Sequence, residues 1–597
     1  MTTIAVEPEQ RELKRPSTLP PKRNSRLFGL FRDHWLTIVI VFVLLWIIGI
    51  PLLTAIGFSF RTGTPAAPGS YTLQNYSDAY ANPLTPPALK NTAIVGIAVS
   101  VISVSLATLF AWLVERTDMP GRNFAWVVML LPIAMPGMLS CMGWVLLLSQ
   151  KIGLVNIAIR DVLSVFGIHL SSGPFNVYSI YGIIFVEVMR STATLFLLLV
   201  AALRLMDPSL EEAASVSGVR TWATFRTITL KLMTPALLAA FMYGLIGNME
   251  DLEVPLMIGL PGNVFVLPTL IYFTSQNNDW GLSAAYTTMF LAVTICMVLI
   301  YYKVVIKRAS NFAVITGKSY RPRRLSLGKM RWPAFGAFFA FFLVTVVLPI
   351  GVLIWASLLK VYEVPSKDSL HKLTLSNYAE LKNTPNISHT VWNTLTLAGE
   401  TATVTMILAF FAGWLIVRQR IKGGLGLDAL TFMPHAIPSV AVAVALVAFY
   451  LNPAMRGAHI YGTVTIMVLA LTTRFITFAS RTANSAMTQL GNELEEAAHV
   501  SGVGRLRTTF RITFRLLSPA FIAGFIWIAA NSIRNLTIPL MLSTSENGTI
   551  ATNLYFEWQR RADFSGAATL GVAMVAVLAL LAIAARRVIA GGFSDSK

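Results

Sequence analysis

The chain has 597 residues, of which 55% are hydrophobic and 13% charged, and a mean hydropathy of +0.65. A soluble domain carries roughly twice that charged fraction, so a water-soluble fold is excluded. The formal charge of +19 does not mark a nucleic-acid binder, because the basic residues crowd a few short stretches between apolar blocks.

Residues 1–34 form a basic tail containing Lys14, Arg15, Lys22, Arg23, Arg26 and Arg32. The apolar block from Trp35 to Phe60 is too long for a signal-peptide core and lacks a small-residue cleavage site, which predicts a retained helix. Blocks of bilayer-spanning length then recur near 91–114, 124–149, 178–203, 236–259 and 283–305, and again near 333–358, 391–416, 428–451, 461–486, 520–543 and 566–587. The prediction is an all-α membrane protein of about twelve transmembrane helices. Its first domain covers 35–306 and its second 333–590, joined by a basic linker at 307–332. Lys and Arg favour the tail, the linker and the segments near 211 and 495, and avoid the 61–90 and 259–282 loops. That bias predicts both termini and both segments on the cytoplasmic side of a multi-pass membrane protein. Cys141 and Cys296 both fall in apolar spans, so no disulfide framework is expected.

The halves are copies. Leu73-x-Asn75-Tyr76 matches Leu375-x-Asn377-Tyr378, Asn91-Thr92 matches Asn393-Thr394, and Pro132 and Pro136 match Pro434 and Pro438, all at an offset of 302. Glu211, Gly218 and Pro235 match Glu495, Gly502 and Pro519 at an offset of 284. The first half therefore holds 302 − 284 = 18 extra residues, predicted in the external 150–177 loop. Between 211 and 237 the copies share 14 identities in 27 ungapped positions, the mark of internal duplication. Six spans per half make the repeats parallel, related by an axis along the membrane normal.

The most polar shared stretch is EEAASVSG at Glu211, repeated as EEAAHVSG at Glu495. Asp207 suits a cap, Pro208 a first helical turn, and Gly218 a left-handed terminus. Leu210, Ala213, Ala214 and Ser217, like Leu494, Ala497, Ala498 and Ser501, recur at helical spacing and give one small apolar face suited to a groove in a partner. Glu212 and Glu496 stand beside that face as anionic anchors.

Glu212-Ala213-Ala214 with Gly218 and Ile228, and Glu496-Ala497-Ala498 with Gly502 and Ile512, resemble the EAA motif of ABC-importer permeases. One departure is that Lys231 and Arg515 stand where that family often has proline, which here is delayed to Pro235 and Pro519. The resemblance implies the importer permease fold, with two six-helix permease domains in one fused chain rather than a permease homodimer. It also implies a non-catalytic transport subunit. Glu211, Glu212, Ala213, Ala214 and Gly218, with Glu495, Glu496, Ala497, Ala498 and Gly502, would contact two cytoplasmic ATPase subunits. Those partners would hold the ATP-Mg, leaving this chain without a cofactor, and a periplasmic or lipid-anchored binding protein would supply the solute. The LxNY and NT segments and IGLPGNVFVLPTLIY resemble most the iron(III)-type permeases, whose relatives carry 2-aminoethylphosphonate, thiamine or polyamines.

Two further groups lie at membrane depth. Pro132, Pro136, Pro434 and Pro438 break spans and must face protein or a cavity, as packing kinks or as lining of the pathway. Glu250 and Asp251 in the fifth span align with Arg534 and Asn535 in the eleventh, so Glu250 and Arg534 are expected to meet near the axis, while Arg190 and Arg474 correspond in the fourth spans of the two halves. Structural ion pairs and a gate are both open for these charges. Gly317-Lys318-Ser319 lacks the upstream glycine of a phosphate loop, and no Cys/His cluster has metal-ligand spacing. Two functional classes remain: an ATP-driven importer subunit and an ion-coupled secondary transporter, the latter giving no reason for two docking helices.

Overall fold

The computed structural model describes residues 25–301, 303, 324–383, 386–491 and 493–594. The tail before 25, Gly317–Ser319 and most of the linker's basic residues lie outside the described residues. Among the described residues nine helices are long and apolar enough to cross a membrane, and thirteen spans result if each of four sharply bent helix pairs is one crossing. Twelve of these correspond to the predicted spans. The thirteenth is a helical hairpin, Pro255–Gly262 and Leu267–Gln276, bent by 81°.

Two predicted spans are wrong in extent. The fifth and eleventh do not run through 236–259 and 520–543, because their helices stop at Glu250 and Arg534. The cause is local. Asp251 accepts from the Val254 N–H (3.0 Å) and Asn535 from the Ile538 N–H (3.1 Å), each capping a new short helix. Pro255 and Pro539 occupy the opening turns of those helices.

The prolines act as predicted on the backbone. Arg122–Ala134 and Gly137–Leu148 meet at 99°, and Gly424–Ala436 and Ser439–Tyr450 at 105°. The second helix of each pair is almost wholly buried, so the broken backbone faces protein. The extra residues of the first half form a helix between the third and fourth spans, Leu154–Val165, pinned by the Asn156 amide, which donates to Leu148 O and Phe175 O at 2.9 Å.

The duplicated short motifs hold matching joints. Asn75 donates to Ser59 O and Arg61 O, and Asn377 to Ser357 O and Leu359 O, all within 2.7–2.9 Å, satisfying carbonyls beyond the end of the first helix of each half. Thr92 accepts from the Leu267 N–H (2.8 Å) and Thr394 from the Ile550 N–H (2.9 Å), fixing the helices Leu267–Gln276 and Ile550–Gln559 against the second span of each half.

Candidate functional site: the paired, braced helices

Both octapeptides form the expected short helices, Ser209–Val216 and Glu493–Val500. Asp207 accepts from the Ser209 N–H (2.9 Å), and Gly218 and Gly502 both take φ +78°, the left-handed termination that glycine permits.

Their acidic residues divide into two tasks. Glu211 turns inward and is buried, with its carboxylate 3.1 Å from Arg116 Nε and accepting from Thr229 Oγ1 at 2.5 Å. Arg116 also donates to Leu203 O and Met206 O, at 2.8 and 2.9 Å, where the fourth-span helix ends and its carbonyls lack helical partners. One guanidinium therefore ties together the end of the second span, the end of the fourth and the octapeptide helix. The second half repeats the device. Glu495 lies 3.4 Å from Arg418 Nε and accepts from Thr513 at 2.6 Å, while Arg418 donates to Leu490 O at 2.9 Å. Glu211 and Glu495 are thus internal struts rather than surface anchors. Glu212 is half-buried and Glu496 exposed, beside Leu210 and Leu494. Val216 and Val500 extend the exposed apolar surface at 82% and 90% accessibility.

Arg116, Arg418, Thr229 and Thr513 are absent from the sequence-based site. Their signal was available, since Arg116 and Arg418 stand at the offset of 302, and Thr229 and Thr513 at 284.

The membrane-depth charges form a second constellation. Arg190 pairs with Glu187 (3.0 Å), with Asp251, and with Glu253 at 3.8 Å, all in its own half. Arg474 crosses to the first half to pair with Glu250. Glu250 and Arg534 therefore do not meet. Arg534 donates instead to Ile133 O, beside the Pro132–Pro136 break, and to Asn531. Hydropathy gives depth but not the direction a residue faces, and the helix ends at 250 and 534 set that direction. Glu253 also accepts from the Leu536 N–H across the halves (3.1 Å). All four carboxylates come from the first half and two of the three guanidiniums from the second, so this polar seam joins the halves where each fifth helix breaks. His435 stacks on Tyr243, ring centroids 5.5 Å apart, and no group of His, Cys, Asp and Glu fit to hold a metal occurs among the described residues.

Two six-span units, each presenting a braced polar helix between its fourth and fifth spans, give the chain the two-fold repeated architecture of a transport permease. The chain belongs to the family of binding-protein-dependent transport system inner membrane components, which matches residues 101–310 and again 405–594. It is thus the multi-pass permease subunit of an ABC importer, with two permease domains in one polypeptide. It is similar to a ferric transport system permease protein of Actinobacillus pleuropneumoniae, 25% identical over 499 residues that cover 82% of this chain and 68% of that one. An Fe(3+)-transport system permease protein of Haemophilus influenzae is 23% identical, covering 91% of this chain and 96% of its own. A solved bacterial alginate ABC transporter aligns at 17% identity with a TM-score of 0.35, over 42% of this chain and 91% of that one.

Proposed function

We propose that this chain passes iron(III), delivered by an extracytoplasmic binding protein, and that separate ATPase chains grip it at residues 209–226 and 493–510. In this reading both termini and both handles are cytoplasmic, ATP-Mg is held by the partners, and this chain performs no hydrolysis. The observation that carries the coupling assignment is the matched brace, Arg116–Glu211–Thr229 and Arg418–Glu495–Thr513. A helix tied at one carboxylate to the ends of two spans transmits a pull on its outer face to those spans as a rigid lever. Closure of the ATPases draws the two levers together and rocks the halves about the seam, where Arg474–Glu250 and the proline breaks border the path. The iron assignment is supported by ferric permeases among the relatives, similar over most of the chain.

Radiolabelled uptake in cells expressing the whole transporter tests both levels. Iron(III) should accumulate, and Glu212→Arg combined with Glu496→Arg should abolish both accumulation and co-purification of the ATPase. Uptake of 2-aminoethylphosphonate, thiamine or a polyamine without iron would reassign the cargo. Uptake that persists with no ATPase recruited would return the chain to the ion-coupled class.

A further inference from the structure

A cavity of about 310 Å³ opens between the halves, lined by Tyr272 and Gln276 from the first and by Ser543, Thr544, Phe556 and Arg560 among others from the second. It lies far from the braced helices. The hairpin that contributes Tyr272 packs through Gly262 against Tyr178, at the start of the helix Ile180–Leu205. The other end of that helix is the one Arg116 caps, roughly 39 Å away at 1.5 Å per residue.

Among the lining residues Arg560 alone carries a full charge. Its guanidinium lies 4.6 Å from the centroid of the Phe556 ring, a stacking that holds the planar group in place. The nearby carboxylates are engaged elsewhere, Glu557 with Arg561 at 2.7 Å and Asp563 with the Gly566 N–H at 2.8 Å. The hydroxyl-bearing wall is also fixed. Asn547 accepts from the Thr544 N–H (2.6 Å) and donates to Thr463 O and Leu542 O, both at 3.2 Å. The first-half copy of this helix shares Tyr272-Phe273 with Tyr555-Phe556 but has Asn277 where Arg560 stands. The duplicated scaffold therefore folds without a guanidinium at this place.

We propose that the cavity is a docking site for a small multi-oxygen anion, the phosphate, phosphonate or carboxylate group of an arriving solute. Arg560 supplies the charge and the N–H donors, while the Ser543 hydroxyl donates to Leu540 O (3.1 Å) and the Thr544 hydroxyl to Asn547 (3.1 Å) within the wall. A guanidinium stacked on an aromatic ring at the rim of a cavity matches the geometry of oxygen anions and repels a bare cation. The purpose of the site rests on the importer reading, and an iron(III) cargo would have to reach it as an anionic complex with oxygen ligands. Binding itself can be measured without transport.

Equilibrium dialysis of the full chain in lipid-free detergent micelles, with radiolabelled inorganic phosphate and with citrate, tests this. The wild type should bind at least one of them saturably. Arg560→Gln should weaken that binding about tenfold, the loss of one charge-assisted contact, while Arg560→Lys falls between and Arg561→Gln matches the wild type. No saturable binding by the wild type, or equal binding by Arg560→Gln, overturns the proposal. Displacement of the bound anion by phosphatidylglycerol would identify a lipid headgroup as the occupant and overturn the solute-docking assignment. A chain that binds phosphate but takes up no iron would support the site while removing the iron reading.

Discussion

The two braced helices share their central chemistry and differ around it. In the first half the brace is sealed, with the side chains of Arg116 and Glu211 3% and 2% accessible, whereas in the second Glu495 remains 18% accessible at a longer 3.4 Å from Arg418. Among the described residues the end of the linker lies on the first alone. Leu325 pairs with the strand-like backbone around Thr117, the Leu327 N–H donates to Asp118 at 2.8 Å, and Ser326 O accepts from Thr221, which opens the next short helix. The equivalent tryptophans diverge as well. Trp112 is buried among Phe225 and Trp222 with its indole N–H unpaired, while Trp414 donates to Thr509 at 3.1 Å. Duplication preserved the strut and left its surroundings free to change, so the two braced helices need not be equally rigid.

The sharpest way to expose the difference is to remove each guanidinium. Arg116→Gln leaves Glu211 as a buried, unpaired charge and should destabilise the Ser209–Val216 region by about 3–5 kcal/mol. Arg418→Gln should cost clearly less, because Glu495 retains access to water. Hydrogen exchange over 209–216 and 493–500 would show this as a larger loss of protection in the first helix. Equal losses would remove the distinction.

A smaller contrast is expected at the polar seam. A Cβ on Gly137 would lie 2.5 Å from both Arg190 and Glu253, whereas Ser439, its counterpart at the offset of 302, already carries a side chain. Gly137→Ala should therefore lower stability by about 1–3 kcal/mol through overpacking, and Ser439→Ala should be nearly silent in a thermal melt. The smallest effect separates the tryptophans. Trp414→Phe should cost about 1 kcal/mol for its lost hydrogen bond, while Trp112→Phe removes an unsatisfied donor and should be less costly in the same assay.

Much of this was legible in the sequence wherever a property is local or periodic. Apolar run length placed the spans, the Asp-Pro-…-Gly punctuation of the octapeptide gave its helix and its left-handed end, and the prolines marked the two sharpest breaks. The fixed offsets also recorded the brace, since Arg116 maps onto Arg418 and Thr229 onto Thr513, but nothing local shows that a guanidinium at one span's end meets a glutamate 95 residues later in the first half and 77 in the second. The same limit produced the wrong partner for Glu250. Asp251 and Asn535 cap the helices that follow, but the apolar context on both sides favours reading a span straight through them. Asn75 and Asn377 likewise announced themselves as repeats, while the carbonyls they satisfy became identifiable only once the helices had ends in space.

The central claim is that both braced helices are gripped by ATPase chains. Single cysteines at Val216 and Val500, each in a chain lacking Cys141 and Cys296, can be cross-linked in membranes from cells expressing the complete transporter. The account predicts an adduct with an ATPase subunit at both positions, and none from a cysteine at Val165 on the helix between the third and fourth spans. Failure of both positions to cross-link in a transporter that remains active would contradict it.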